Sequence, residues 1–191
     1  MELKVIREKI KDNEYVYSLH AEIERKADEL TFHQIEKALL DSEILEDYPD
    51  NRRGESCLVL GFSDNIPIHI VCDGGGKKYP LLLYMYPNHQ SLSILGQGGK
   101  SMEKKKCNFC GSTEYEQRRT DYLYSYKGNY LLVPNTPVEI CKNCGMVYYD
   151  AGVLKKIENH FFAIQRKHEV PDHYLKIPQL AYSEHIEDVH K

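Results

Sequence analysis

The chain has 191 residues, room for one ordinary domain or two small ones, and carries 25 Lys/Arg against 29 Asp/Glu. Residues 1–95 hold 11 basic and 17 acidic side chains, and residues 102–191 hold 13 and 12. Neither half therefore has the strongly basic balance of a protein that grips nucleic acid through its phosphates. No apolar run approaches the roughly 20 residues of a membrane span. The charged opening, Met1 to Arg7, lacks the apolar stretch of a signal peptide. The expectation is a cytoplasmic protein with no membrane segment.

Leu3, Val5, Ile6 and Ile10 among charges predict an amphipathic helix over residues 2–14. Tyr15–Leu19 reads as a short bridge, followed by a second helical stretch at 20–29. Thr31 and Gln34 have the spacing of a capping box and open a helix near 32–41, with Ile35, Ala38 and Leu39 on one side. Beyond it the pattern turns to strands: Ile44–Tyr48, Ser56–Phe62, Pro67–Cys72 and Leu81–Tyr86. Turn-forming clusters lie at 49–54, 63–66 and 74–76. Helices followed by an antiparallel meander make residues 1–87 a compact α+β domain.

Residues 88–106 are polar and glycine-containing and read as a linker. Two cysteine frames follow, Cys107-x-x-Cys110-Gly111 and Cys141-x-x-Cys144-Gly145, with thirty residues between Cys110 and Cys141. Two thiolates three positions apart can grip one Zn²⁺ from a tight turn, and a second such turn completes a tetrahedron of four sulfurs. Each trailing glycine suits a backbone with φ > 0 that aims N–H groups at sulfur. A single frame would fit a redox dithiol. Two matching frames point to a closed, structural zinc ribbon with Cys107, Cys110, Cys141 and Cys144 as ligands. Cys57 and Cys72 lie in apolar strand-like runs and read as buried free thiols, which suits a reducing compartment.

Between the frames, Tyr122, Tyr124 and Tyr126 alternate with Leu123 and Ser125. Lys127-Gly128-Asn129 is a turn, with strands expected at Tyr130–Val133 and Val138–Ile140. Asp150 reads as an N-cap for a helix to about Lys167, on which Val153, Leu154, Ile157, Phe161 and Ile164 recur at helical spacing. The ribbon domain thus spans 107–168, and residues 169–191 form an extended or partly disordered tail.

Each half resembles a known family. Ser18-Leu19-His20-Ala21, Ile44 to Pro49, Ser56 to Gly61 and Pro67-Ile68-His69-Ile70-Val71 resemble a bacterial and archaeal family of small domains related to RelE-type toxins. That resemblance implies a RelE-like fold and an RNA-cleaving ancestry. Cys107–Gly111, the hairpin region, Thr136-Pro137-Val138 and Cys141–Gly145 resemble the YgiT-type zinc finger of MqsA-like antitoxins. Such partners are commonly encoded as neighbours, so the chain looks like both joined in one polypeptide, with Met102 marking an old start.

The sequence departs from both patterns. Many members of the first family carry an arginine four residues after the histidine, where this chain has Glu24 and then Arg25. Their last strand ends in a basic, aromatic-containing segment that Tyr84-Met85-Tyr86-Pro87 and residues 88–101 do not reproduce. No helix-turn-helix pattern follows the finger, so operator binding is not implied.

His20 and His69 are the candidate acid–base groups of an RNA-cleaving site, since imidazole titrates near neutrality. A core role for His69 and a helix-stabilising pair between His20 and Glu24 are the ordinary alternatives. Arg52 and Arg53 could meet a phosphate, or simply solvate a turn. The tyrosine stripe could stack bases, but alternation on one sheet face favours packing. Lys104–Lys106 reads as a solubilising linker end, and the other histidines as surface residues.

Three functions stay open: a fused toxin–antitoxin-like protein with the ribbon silencing the first half; an active ribonuclease whose ribbon reaches RNA or the ribosome; and a non-enzymatic interaction module. Partners are the chain's own N-terminal domain or a second copy, or a separate toxin. The helix 151–167, through Phe161, Phe162 and Ile164, and the segment Lys176–Leu180 are the expected docking elements.

Overall fold

The computed structural model describes residues 1–49, 55–74, 81–86, 106–107 and 109–178, with the backbone alone at 81–86. Expectations on Arg52, Arg53, Met102, Lys104, Lys105, the turn at 75–76, the linker from 88 to 105 and the tail from 179 fall outside these residues.

Helix α1 (Leu3–Lys11) leads into strand β1 (Tyr15–Ser18), then α2 (Leu19–Ala27) and α3 (Phe32–Leu40). The Ser18 side chain accepts from the Ala21 N–H at 3.1 Å and starts α2. Thr31 and Gln34 form the capping box that starts α3, each side chain accepting from the other's backbone N–H. Strands β2 (Glu43–Tyr48), β3 (Ser56–Ser63), β4 (Ile66–Asp73) and β5 (Leu81–Tyr86) form the meander. After the first cysteine pair come β6 (Tyr115–Tyr126), β7 (Asn129–Cys141), β8 (Val147–Asp150) and α4 (Ala151–Gln165). The α+β class holds.

Among the described residues one sheet of eight strands runs through both halves in the order β2-β3-β4-β5-β1-β8-β7-β6. The segment expected as a bridge, Tyr15–Leu19, supplies its middle. Strand β1 runs parallel to β5, with Tyr15 opposite Leu81, and antiparallel to β8, with Tyr17 opposite Tyr149. The N-terminal sheet is therefore a meander with a parallel fifth strand at the seam. Strand β8, not anticipated from the sequence, carries the hydrogen bonding into the second half.

The alternation of side chains sorts the sheet into two faces. Tyr15, Tyr17, Cys57, Val59, Ile68, Ile70, Cys72, Tyr122, Tyr124, Val138 and Tyr149 share one core with Ile6 of α1, Ala21 of α2, Ile35 and Leu39 of α3, and Leu154, Ile157 and Phe161 of α4. A smaller cluster on the other side of β8 joins Tyr148 to Cys107 and Cys141, with Val16 and Tyr115 against it. Helix α3 lies so close on β3 that a Cβ at Gly61 would stand 2.0 Å from the Ala38 carbonyl oxygen. Cys57 and Cys72 face each other across β3 and β4 as buried free thiols. Among the described residues no helix is long and apolar enough to cross a membrane.

Candidate metal centre and inter-half interface

Both cysteine frames fold into the same turn. In the first, the Gly111 N–H donates to the Cys107 carbonyl at 2.7 Å; in the second, Gly145 donates to Cys141 at 2.9 Å. Both glycines sit at φ 76°, a left-handed conformation that costs other residues more. The turn thereby swings the following N–H onto a sulfur, Ser112 onto Cys110 and Met146 onto Cys144.

The four Sγ atoms lie within 4.8 Å of one another. Cys107 and Cys144 are 3.5 Å apart, and Cys110 and Cys141 3.6 Å. A tetrahedron with metal–sulfur bonds of about 2.3 Å has edges of about 3.8 Å. Hydrogen bonds from the Asn143 side chain and the Ser112 N–H pull the exposed Cys110 thiol down to about 6. Desolvation and then its sulfur neighbours push Cys144 up to about 12. Crowded thiols of this kind cannot all ionise together without a cation among them. The geometry and donor set are consistent with a zinc site that leaves no ligand position open.

The interface between the halves is built on β1 and β8. Val16 pairs with Asp150, Tyr17 with Tyr149 and Ser18 with Tyr148. Asp150 then caps α4, accepting from the Val153 N–H at 3.0 Å, as expected of an N-cap. That cap aims α4 across the start of α3. The buried carboxylate of Glu158 accepts the Phe32 N–H at 2.9 Å, the His33 N–H at 3.3 Å and the Tyr124 hydroxyl at 2.6 Å. A carboxylate at a helix N-terminus is also stabilised by the positive end of the helix dipole.

Beside it lies a second buried polar group. Arg25 donates from Nε and Nη2 to the two carboxylate oxygens of Glu22, both at 2.8 Å, and from Nη1 to the Leu30 carbonyl at 2.6 Å. Its guanidinium stacks 4.5 Å from the Phe32 ring centre and 4.8 Å from that of Tyr124. The Tyr122 hydroxyl donates to Glu22, tying the hairpin to α2. Burial opposes the charge on Arg25, and the Glu22 carboxylate outweighs it, so the guanidinium is held cationic. Lys155 of α4 closes the far side on Glu36 of α3 at 2.7 Å.

The tyrosine stripe is therefore packing. Tyr122 and Tyr124 are buried, Tyr124 meets Phe161 at 4.7 Å, and Tyr126 meets Phe162 at 5.5 Å. The expected docking helix does dock, but through Leu154, Ile157, Glu158 and Phe161, with Phe162 at the rim and Ile164 only half-buried. The segment Lys176–Pro178 is exposed and forms no strand, so it does not add to the sheet; residues 179 and 180 lie outside the described residues.

The two candidate acid–base residues occupy different elements. His20 is half-exposed on α2, with Nδ1 3.9 Å from Glu24. His69 is half-buried on β4 between Ile68 and Ile70, and by alternation it faces away from the helices. Sequence reasoning passed over Glu22, Arg25, Tyr148 and Glu158. A signal existed for two of them: Glu158 interrupts the apolar stripe Leu154, Ile157, Phe161, and Arg25 lies on the Ala21 face of α2. A charged residue inside an apolar stripe requires a buried partner.

Residues 17–78 match a domain of unknown function (DUF4258), a description that carries no toxin role. Residues 105–176 match the antitoxin component of the bacterial toxin–antitoxin system, MqsA. The uncharacterized protein YokU of Bacillus subtilis (strain 168) is 33% identical over 84 residues, which cover 43% of this chain and 89% of that protein. No solved structure matches the chain. The chain belongs to the family of YokU, and its residues 105–176 carry the match to the MqsA antitoxin component.

Proposed function

We propose that this chain is a fused toxin–antitoxin-like protein, in which a zinc-bearing antitoxin-like half docks on a toxin-like N-terminal half and keeps it silent. The observation that carries the reading is the sheet shared between the halves through β1 and β8. An antitoxin component implies a toxin as partner, and here the tightly fitted surface belongs to the same chain. The fit includes a carboxylate seated on the N-terminus of α3 and a hairpin hydroxyl on Glu22. Buried, hydrogen-bonded charges of this kind set one register of docking and penalise others.

One Zn²⁺ held by Cys107, Cys110, Cys141 and Cys144 would order the ribbon. On this reading the N-terminal half is related to RelE-type toxins, and His20 and His69 are its acid–base candidates for RNA cleavage. Expression of residues 1–95 alone tests the function. Growth arrest that co-expression of residues 102–191 relieves, and that His20→Ala or His69→Ala abolishes, is the expected result. Arrest by the full chain would overturn silencing, and no arrest by either would reduce both halves to binding surfaces. Elemental analysis should find one zinc per chain in protein purified without chelator.

A further inference from the structure

We propose that β8 couples metal occupancy of the four-cysteine cluster to the docking of the two halves. This rests on the zinc reading of the cluster and not on the toxin-like role of the N-terminal half.

Strand β8 has only four residues, and each is tied to a different neighbour. Its entry is fixed by the second cysteine turn, where the Cys141 N–H donates to the carbonyl of Met146, the residue just before β8, at 2.9 Å. Its side chains alternate. Tyr148 points at the sulfurs, with its hydroxyl 3.2 Å from Cys107 Sγ and its ring edge-on to Tyr115 at 5.9 Å. Tyr149 points the other way, into the shared core, 5.5 Å from the ring of Tyr122. Its backbone pairs three residues of β1 and only two of β7, namely Glu139 and Ile140. Its last residue, Asp150, caps the helix that carries Glu158 onto α3.

So short a strand has no stability of its own and takes its place from what holds its ends. One end is the metal cluster and the other is the docking helix. Without a cation nothing ties the second cysteine turn to the first across the cluster, and the turn that positions Val147 loses that anchor. The pairing with β1 and the aim of α4 then weaken together. By thermodynamic reciprocity, docking also tightens the hold on the metal.

Hydrogen exchange on the full-length, zinc-loaded chain tests this, with a zinc chelator titrated in and metal release followed in parallel. As zinc leaves, protection at residues 15–18 and 147–150 should fall on the order of tenfold or more, while residues 56–73 keep theirs. Unchanged protection at 15–18 in zinc-free protein would overturn the coupling. So would equal loss at 56–73, because the chain would then melt as one unit. A chain that takes up no zinc would overturn both the zinc reading and this proposal. The variant Tyr148→Phe keeps the ring and removes the hydroxyl beside Cys107. It should weaken zinc affinity about tenfold, with residues 15–18 still protected at saturating zinc. Unaltered affinity would remove Tyr148 from the link.

Discussion

The two halves bury themselves by different means. The N-terminal half packs mostly aliphatic side chains, Ile6, Ile35, Leu39, Val59, Ile68 and Ile70, between its helices and its own strands, with Tyr15, Tyr17 and Phe32 among them. The C-terminal half has a long hairpin whose buried face is largely Tyr122, Tyr124 and Val138, and it completes that face against Tyr149 of β8 and against α2, α3 and α4. Aliphatic groups need only volume and exclusion of water. A buried tyrosine also needs an acceptor for its hydroxyl, so it fits one partner in one register. The first half is thus built to be a body, and the second to be a fitted cover with a four-cysteine cluster at its outer end.

Replacing Cys141 and Cys144 by serine should break the contrast most strongly. Structural zinc sites contribute on the order of 10 kcal/mol to folding. Near-ultraviolet dichroism from the hairpin tyrosines should collapse, while the helical signal of the N-terminal half persists. Retention of the full tyrosine signal would show that the cover does not depend on its metal.

Alkaline titration tests the tyrosines of both halves together. Burial first, and neighbouring carboxylates after it, raises the phenols of Tyr122, Tyr124 and Tyr17 above the ordinary value, and burial followed by the neighbouring Tyr17 and then Glu36 raises that of Tyr15. The unfolded chain then loses these protons first as pH climbs past about 10, so stability is intact below that pH and falls above it. Each phenol contributes a loss of about 1.4 kcal/mol per pH unit, roughly 5 kcal/mol for the four. A urea midpoint that stays flat between about pH 9 and 11 would contradict their burial.

Removal of one buried charge sharpens the comparison further. Arg25→Met leaves the Glu22 carboxylate with Lys26 and Tyr122 alone, at a cost of about 3–5 kcal/mol. Because Tyr122 reaches Glu22 from the other half, a double-mutant cycle with Tyr122→Phe should show a coupling of about 1 kcal/mol. Additive effects would place the ion pair wholly within the N-terminal half.

Gly61→Ala addresses the body alone. The added methyl would meet the Ala38 carbonyl at 2.0 Å and push α3 off β3, costing about 1–3 kcal/mol in thermal unfolding. Zinc content should not change. The smallest effect belongs to the rim: Lys155→Ala removes a partly exposed ion pair to Glu36 and should cost about 0.5 kcal/mol in a urea titration.

Local signals were read correctly where short-range chemistry decides. The capping box at Thr31 and Gln34, the cap at Asp150, the turn at Lys127 and Gly128, and the two cysteine frames each depend on residues a few positions apart. Strand β7 was harder. It reads as two strands because Pro134 and Asn135 interrupt it, yet it runs unbroken from Asn129 to Cys141. The register shifts there, with Pro134 and Asn135 of β7 bulging opposite the single Asp121 of β6, and Asn135 takes a φ of 58°. A proline is tolerated in a strand at such a bulge, where no ladder bond is asked of it.

By itself, then, the sequence determined the helices, the hairpin turns and the two cysteine turns, because helical period, capping and the C-x-x-C-Gly spacing act over a few residues. Only the tertiary structure decided that Tyr15–Ser18 and Val147–Asp150 are the paired centre of one sheet. Neither four-residue segment has a period long enough to mark it, and each is a strand because distant segments lie alongside, β5 and β8 for one and β1 and β7 for the other. The same holds for Glu22, Arg25 and Glu158. Their charges are tolerable inside the protein only once chain segments as far as 126 residues apart bring the partners that satisfy them.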